Sequence, residues 1–142
     1  MKIGLHVEDV SEQPVGDYEL IEFNNLQSIH DASCEEIFIG DSLDYFENRQ
    51  EAFNYVLSKL KYGGIATITG VDLLTVCSLR KTFKITDSQA KELLYSKRRS
   101  VSSMSECLDY LKSVGMHITV KRIDSARYCV KFRRPEANEN QV

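Results

Sequence analysis

Residues 36–71, EIFIGDSLDYFENRQEAFNYVLSKLKYGGIATITGV, hold the pattern on which the fold turns. Glu36-Ile37-Phe38-Ile39 is a short apolar run closed by Gly40-Asp41, which predicts a strand buried on both faces of a parallel sheet. From Arg49 to Leu60, Phe53, Val56, Leu57 and Leu60 recur at helical spacing with Ala52 beside them. Asn48 is placed to cap that helix, with Glu51 as the reciprocal partner three residues on. Gly63-Gly64 is expected to end the helix, and Ile65 to Val71 to form the next strand. Strand, helix and strand in this order make a right-handed crossover unit.

Outward from this unit the signals are shorter. Toward the N-terminus, Lys2 to Val7 alternates as a strand, Glu8 to Gly16 breaks the pattern, and Tyr18 to Phe23 predicts a second strand with a turn at Asn24-Asn25. Leu26 to Cys34 reads as irregular with one short turn. Toward the C-terminus, Leu73 to Arg80 predicts a short helix, and Thr86 or Asp87 can cap another through about Tyr95. Lys97 to Ser103 reads as a mobile polar connection. Ser103 or Ser105 then starts a helix whose stripe is Met104, Cys107, Leu108 and Leu111, ended by Gly115. His117–Ile123 and Arg127–Phe132 predict an antiparallel hairpin turning at Asp124-Ser125-Ala126. Residues 1–134 are expected to form a single domain, with 135–142 a disordered tail.

Composition narrows the function classes. The 142 residues are 42% apolar, which suits one compact domain, and no run approaches the length of a membrane span. Without a signal-peptide pattern, the expected location is cytoplasmic. Cys34, Cys77, Cys107 and Cys129 lack zinc-site spacing, so no metal is expected; Cys107 and Cys129 are read as buried free thiols. Charge is segregated: residues 1–60 hold 13 acidic and 3 basic residues, leaving 8 acidic and 15 basic in residues 61–142. The halves therefore carry −10 and +7 from the same count, a dipole that favours self-complementary association. The basic run Lys97-Arg98-Arg99 lacks interleaved aromatic platforms, so nucleic acid is not an expected partner.

Several segments carry a family likeness: Asp31-Ala32-Ser33-Cys34-Glu35-Glu36-Ile37-Phe38-Ile39, then Leu43-Asp44-Tyr45-Phe46, Leu57-Ser58-Lys59-Leu60-Lys61-Tyr62-Gly63-Gly64, Val71-Asp72, and the closing Leu108 to Gly115. In order and spacing they resemble class I S-adenosylmethionine-dependent methyltransferases, and most closely small polysaccharide-associated ones. The resemblance covers about residues 1–132. It implies an α/β, reduced Rossmann-like sheet, mostly parallel, with a C-terminal antiparallel hairpin. It also implies S-adenosylmethionine as cofactor if the protein is active, and otherwise none.

Carried onto this chain, the family's glycine-rich loop after the first strand falls on His6-Val7-Glu8-Asp9, which has no glycine. Two carboxylates would there face a ligand that carries its own. His6, Glu8, Asp9 and Gly40 thus become the cofactor-side candidates, with Glu8 or Asp9 the stand-in for the acidic residue that ends the family's second strand and grips the ribose. Asn24 falls near the adenine-side Asp after the third strand. Asp41, just after the fourth, is the candidate general base, its other role being to cap the following turn. The expectation is a methyltransferase-like protein with weakened or lost S-adenosylmethionine binding and an interaction or structural role. Its alternative is an active methyltransferase acting on a hydroxyl of a small molecule or sugar. The expected partner is a second copy or another methyltransferase-like subunit.

Overall fold

The structure is a computed structural model that describes residues 1–7, 16–95 and 98–137. Six strands form one sheet: β1 (Lys2–His6), β2 (Glu19–Glu22), β3 (Cys34–Gly40), β4 (Leu60–Val71), β5 (His117–Asp124) and β6 (Arg127–Arg133). Their order across the sheet is β2-β1-β3-β4-β6-β5. The first four are mutually parallel, and β6 and β5 run antiparallel as the expected hairpin.

Helix α1 (Arg49–Leu57) links β3 to β4. Asn48 caps it by accepting from the Glu51 amide at 3.1 Å, and its side-chain nitrogen donates back to the Glu51 carboxylate at 3.0 Å. Helices α2 (Leu73–Lys81) and α3 (Asp87–Tyr95) pack together through Val76, Leu79, Leu93 and Leu94, and α4 (Met104–Ser113) precedes β5. Thr86 starts α3 by accepting from the Gln89 amide, and Ser103 does the same for α4 with Glu106. Gly115, at φ +81°, ends α4 while Met116 N–H reaches back to the Leu111 carbonyl, a closure that needs the left-handed conformation glycine adopts without strain.

One face of the sheet carries the core. Ile3, Leu5, Ile37, Ile39, Ala66, Ile68, Val130 and Phe132 meet Phe53, Val56 and Leu57 of α1 and Cys107, Leu108 and Leu111 of α4. Phe38 and Ile65, on the opposite face, belong to no buried cluster of the described residues.

Four expectations are corrected. Gly63-Gly64 do not end α1: the helix stops at Leu57 and β4 begins at Leu60, because Cys34 of β3 already pairs there. Only Ile37 and Ile39 of β3 meet the core; Phe38, on its other face, joins no buried cluster among the described residues. Cys129 is half-exposed, one residue out of phase with the buried Tyr128, Val130 and Phe132. Residues 98–103 are tied down: the amides of Arg99 and Ser100 donate to the Asp44 carbonyl, and Ser102 and Ser103 are buried. Of the expected tail, residues 138–142 lie outside the described residues.

Candidate functional site

In an open parallel sheet, a ligand crevice forms where the chain leaves one strand toward one side and the next toward the other, at the carboxyl ends of the strands. Here β1 leads to β2 on one side while β3 lies on its other, so the crevice falls between the ends of β1 and β3. Half-buried His6 ends β1, and Gly40 and Asp41 end β3. Gly40 turns the chain at φ +57°, with the Phe38 ring 2.8 Å from where a Cβ would sit, so a side chain there would be both strained and crowded. The next residue but one, Ser42, donates to the Leu5 carbonyl at 3.3 Å and ties the two strand ends together.

Asp41 is 4% exposed. Arg127 Nη2 donates to both of its carboxylate oxygens, at 2.7 and 2.8 Å, the Thr69 hydroxyl donates to one of them, and Arg98 Nη2 lies 3.6 Å away. It does not cap the short 3-10 turn Ser42–Tyr45 with its side chain. Within that turn, buried Asp44 accepts from Arg49 Nη1 at 2.6 Å and from Arg98 Nε at 3.0 Å. Arg49 also reaches Ser100 Oγ at 3.1 Å and the Tyr128 hydroxyl at 3.4 Å, and Tyr128 shares a hydrogen bond with Ser102.

Three guanidiniums thus face two carboxylates. Burial pushes the Asp44 carboxyl up from its ordinary value against the pull of Arg49 and Arg98. Burial works against the Arg49 charge, but Tyr128 and Asp44 outweigh it and hold the proton more firmly than usual. Burial also pushes the Tyr128 hydroxyl up, and the Cys107 thiol up to about 12, which leaves that thiol inert at neutral pH.

β2 pairs directly with β1, Glu22 opposite His6. It therefore stands where a second strand stands in a doubly wound sheet, and half-buried Glu22 is its last residue. Asn24 follows in the exposed first turn of the 3-10 segment Phe23–Ser28, beside this second strand rather than beyond a third. Glu8 and Asp9 lie outside the described residues.

The structure therefore brings His6, Gly40 and Asp41 to one crevice and adds Glu22. Sequence reasoning passed over Glu22 although a signal existed: the interval after β1 is too short for a strand and helix, so the next strand had to lie against β1. Arg98 and Arg127 left no local signal, being 57 and 86 residues from Asp41 in the chain.

The fold is the Rossmann-like α/β mixed sheet typical of class I methyltransferases. A S-adenosylmethionine-dependent methyltransferase from Archaeoglobus fulgidus superposes with TM-score 0.58 at 13% identity over 93% of this chain and 75% of that one. An O-methyltransferase family protein from Burkholderia thailandensis gives 0.57 at 12% identity, over 84% of this chain and 36% of that one. A putative methyltransferase solved in complex with the Haloferax volcanii Trm112 methyltransferase activator gives 0.56 at 11% identity, over 87% of this chain and 64% of that one. The chain spans only a third to three quarters of the length of these structures. No family model matches the sequence, and no match to a curated protein was found. Among the described residues, no helix is long and apolar enough to cross a membrane and no cluster suits a metal ion.

Proposed function

We propose that this chain is a methyltransferase-like protein whose S-adenosylmethionine binding is weakened or lost and whose role is interaction or scaffolding. The observation that carries this reading is the state of Asp41. A general base needs a lone pair free to meet the proton it takes. The oxygens of Asp41 are instead taken up by Arg127 and Thr69, with Arg98 close by, which makes the carboxylate a structural tie. The occupied oxygens of Asp41 bear on proton removal from an acceptor; the doubt over S-adenosylmethionine itself rests on the end of β1, where His6-Val7 offer no glycine to let the backbone approach the ligand.

A second reading, an active methyltransferase working on a hydroxyl of a small molecule or sugar, draws on Glu22. Its carboxylate ends β2 beside His6, where it could accept from a ribose hydroxyl. In that case Asp41 orients the site rather than taking a proton.

Calorimetric titration with S-adenosylhomocysteine separates the two. The expected result is no saturable heat and an unchanged melting temperature at millimolar ligand. Micromolar binding that Glu22→Ala abolishes would overturn the proposal in favour of the second reading.

A further inference from the structure

Away from the strand-end crevice, the N-terminal part of the chain builds a second recess from aromatic rings. On α1, Asn48, Glu51, Ala52 and Tyr55 fall on one face at spacings of three and four, beside the face that Phe53, Val56 and Leu57 press into the core. Phe23 opens the 3-10 segment after β2. Phe46 follows the 3-10 turn after β3, where its amide donates to the Leu43 carbonyl at 3.2 Å. The Phe23 ring lies 4.3 Å from that of Phe46 and 6.1 Å from that of Tyr55, centroid to centroid, tilted by 43° and 56°. At those tilts the rings stand as walls instead of stacking flat. Buried Ala52 is short enough to leave room beside them, and together they line a cleft of about 310 Å³, at the small end of the range for small-molecule sites.

The rim of this cleft is acidic and lacks a cation. Glu47 and Glu51 line it, and both are exposed. Among the described residues, the Glu51 carboxylate accepts only from Asn48, and neither acid pairs with a cation. Residues 1–60 hold three basic residues, each engaged elsewhere: Lys2 with Glu36 at 3.6 Å, Arg49 with Asp44 at 2.6 Å and Lys59 with Asp31 at 2.8 Å. Lys59 Nζ sits 5.1 Å from the Tyr55 centroid, yet it is bonded to the Ile29 carbonyl as well as to Asp31 and does not line the cleft.

We propose that the cleft binds a small molecule bearing a quaternary ammonium group. Aromatic faces attract a cation held within about 6 Å of their centroids, and the methyl groups of such a cation bury against the same rings. A quaternary nitrogen carries no N–H, so it loses no hydrogen bond on entering an apolar cleft, whereas a primary ammonium leaves its donors short of partners. Glu47 and Glu51 add longer-range attraction at the rim. An anion would meet two carboxylates there with no cation to offset them.

This inference does not rest on the function proposed above. His6, Gly40 and Asp41 do not line the cleft, so cofactor binding and cation binding succeed or fail in separate measurements. The test is an amide chemical-shift titration of the full chain with choline. Saturable shifts centred on Phe23, Phe46, Glu47 and Tyr55 are expected, with a dissociation constant below about 1 mM. Dimethylbutanol, the neutral carbon isostere, and ethanolamine, the cation without methyl groups, are each expected to bind at least about tenfold more weakly. Tyr55→Leu, at an exposed position, is expected to weaken choline about threefold or more with an unchanged circular dichroism spectrum. Glu47→Gln should weaken it about twofold in low salt and less in high salt. Absence of saturation at about 10 mM choline, well above a millimolar dissociation constant, overturns the proposal. So does equal affinity for dimethylbutanol, which would leave an apolar cleft with no preference for charge, or choline binding indifferent to Tyr55→Leu. Displacement of choline by S-adenosylhomocysteine would make the cleft part of the cofactor crevice and overturn it as well.

Discussion

Asp41 and Asp72 hold equivalent posts, each the first residue after a central parallel strand, yet they are satisfied by opposite means. Both are buried, at 4% and 2% exposure. Asp72 accepts from the Thr75 amide at 2.9 Å and its hydroxyl at 2.5 Å, and its other oxygen accepts from the Met104 amide at 2.7 Å. One carboxylate thus joins the N-termini of α2 and α4, where the helix dipoles favour negative charge. The Asp41 carboxylate caps neither the 3-10 turn it precedes nor any helix among the described residues, and is balanced by the side chains of Arg127 and Arg98. A buried carboxylate can be stabilised by backbone amides near in sequence or by cations brought from far along the chain; only the second arrangement leaves a cation stranded when the acid is removed.

That difference predicts unequal costs. Asp41→Ala removes the carboxylate that Arg127 holds by two hydrogen bonds while Arg98 keeps Asp44, and is expected to lower stability by about 2–3 kcal/mol, below the range for a fully buried pair because Arg127 is partly solvated; urea denaturation with an unchanged m-value would check it. If stranded charge is the cause, adding Arg127→Met to Asp41→Ala should recover part of the loss, and a double-mutant cycle should return a coupling of roughly 1–3 kcal/mol. An additive cycle would show that Asp41 acts by packing alone. Asp72→Ala removes a cap without stranding a cation and is expected to cost about 1–2 kcal/mol, read from the same urea midpoints. At the small end, the exposed Arg80–Asp87 pair joins α2 to α3, and the guanidinium there holds the Asp87 carboxyl below its ordinary value. Solvent screens that pair, so Asp87→Ala should leave the urea midpoint unchanged within error.

The same contrast separates what the sequence discloses from what it conceals. The β3-α1-β4 unit, the Asn48 cap, the caps of α3 and α4 to within two candidates each, the α4 stripe and the C-terminal hairpin were legible because their signals lie within a few residues of one another. The end of α1 was misplaced because Cys34 claims Leu60 for the sheet before the glycines are reached, a pairing that overrides the local turn signal. The segment 98–103 looked mobile because its polar residues have no neighbours in sequence to hold them; they are held by Asp44 and Tyr128.

By itself the sequence determined the strand and helix periods, the crossover, the candidate residues His6, Gly40 and Asp41 at the strand ends, and the division of charge between its halves. Only the tertiary structure decided that β2 lies against β1, which puts Glu22 opposite His6, that Asp41 is held by Arg98 and Arg127, and that the charge division falls on two sides of one sheet. The physical reason is range. Periodicity and capping act over one or two turns of chain, whereas strand order and ion pairing join residues many tens of positions apart, and the local pattern around either partner carries no record of the other.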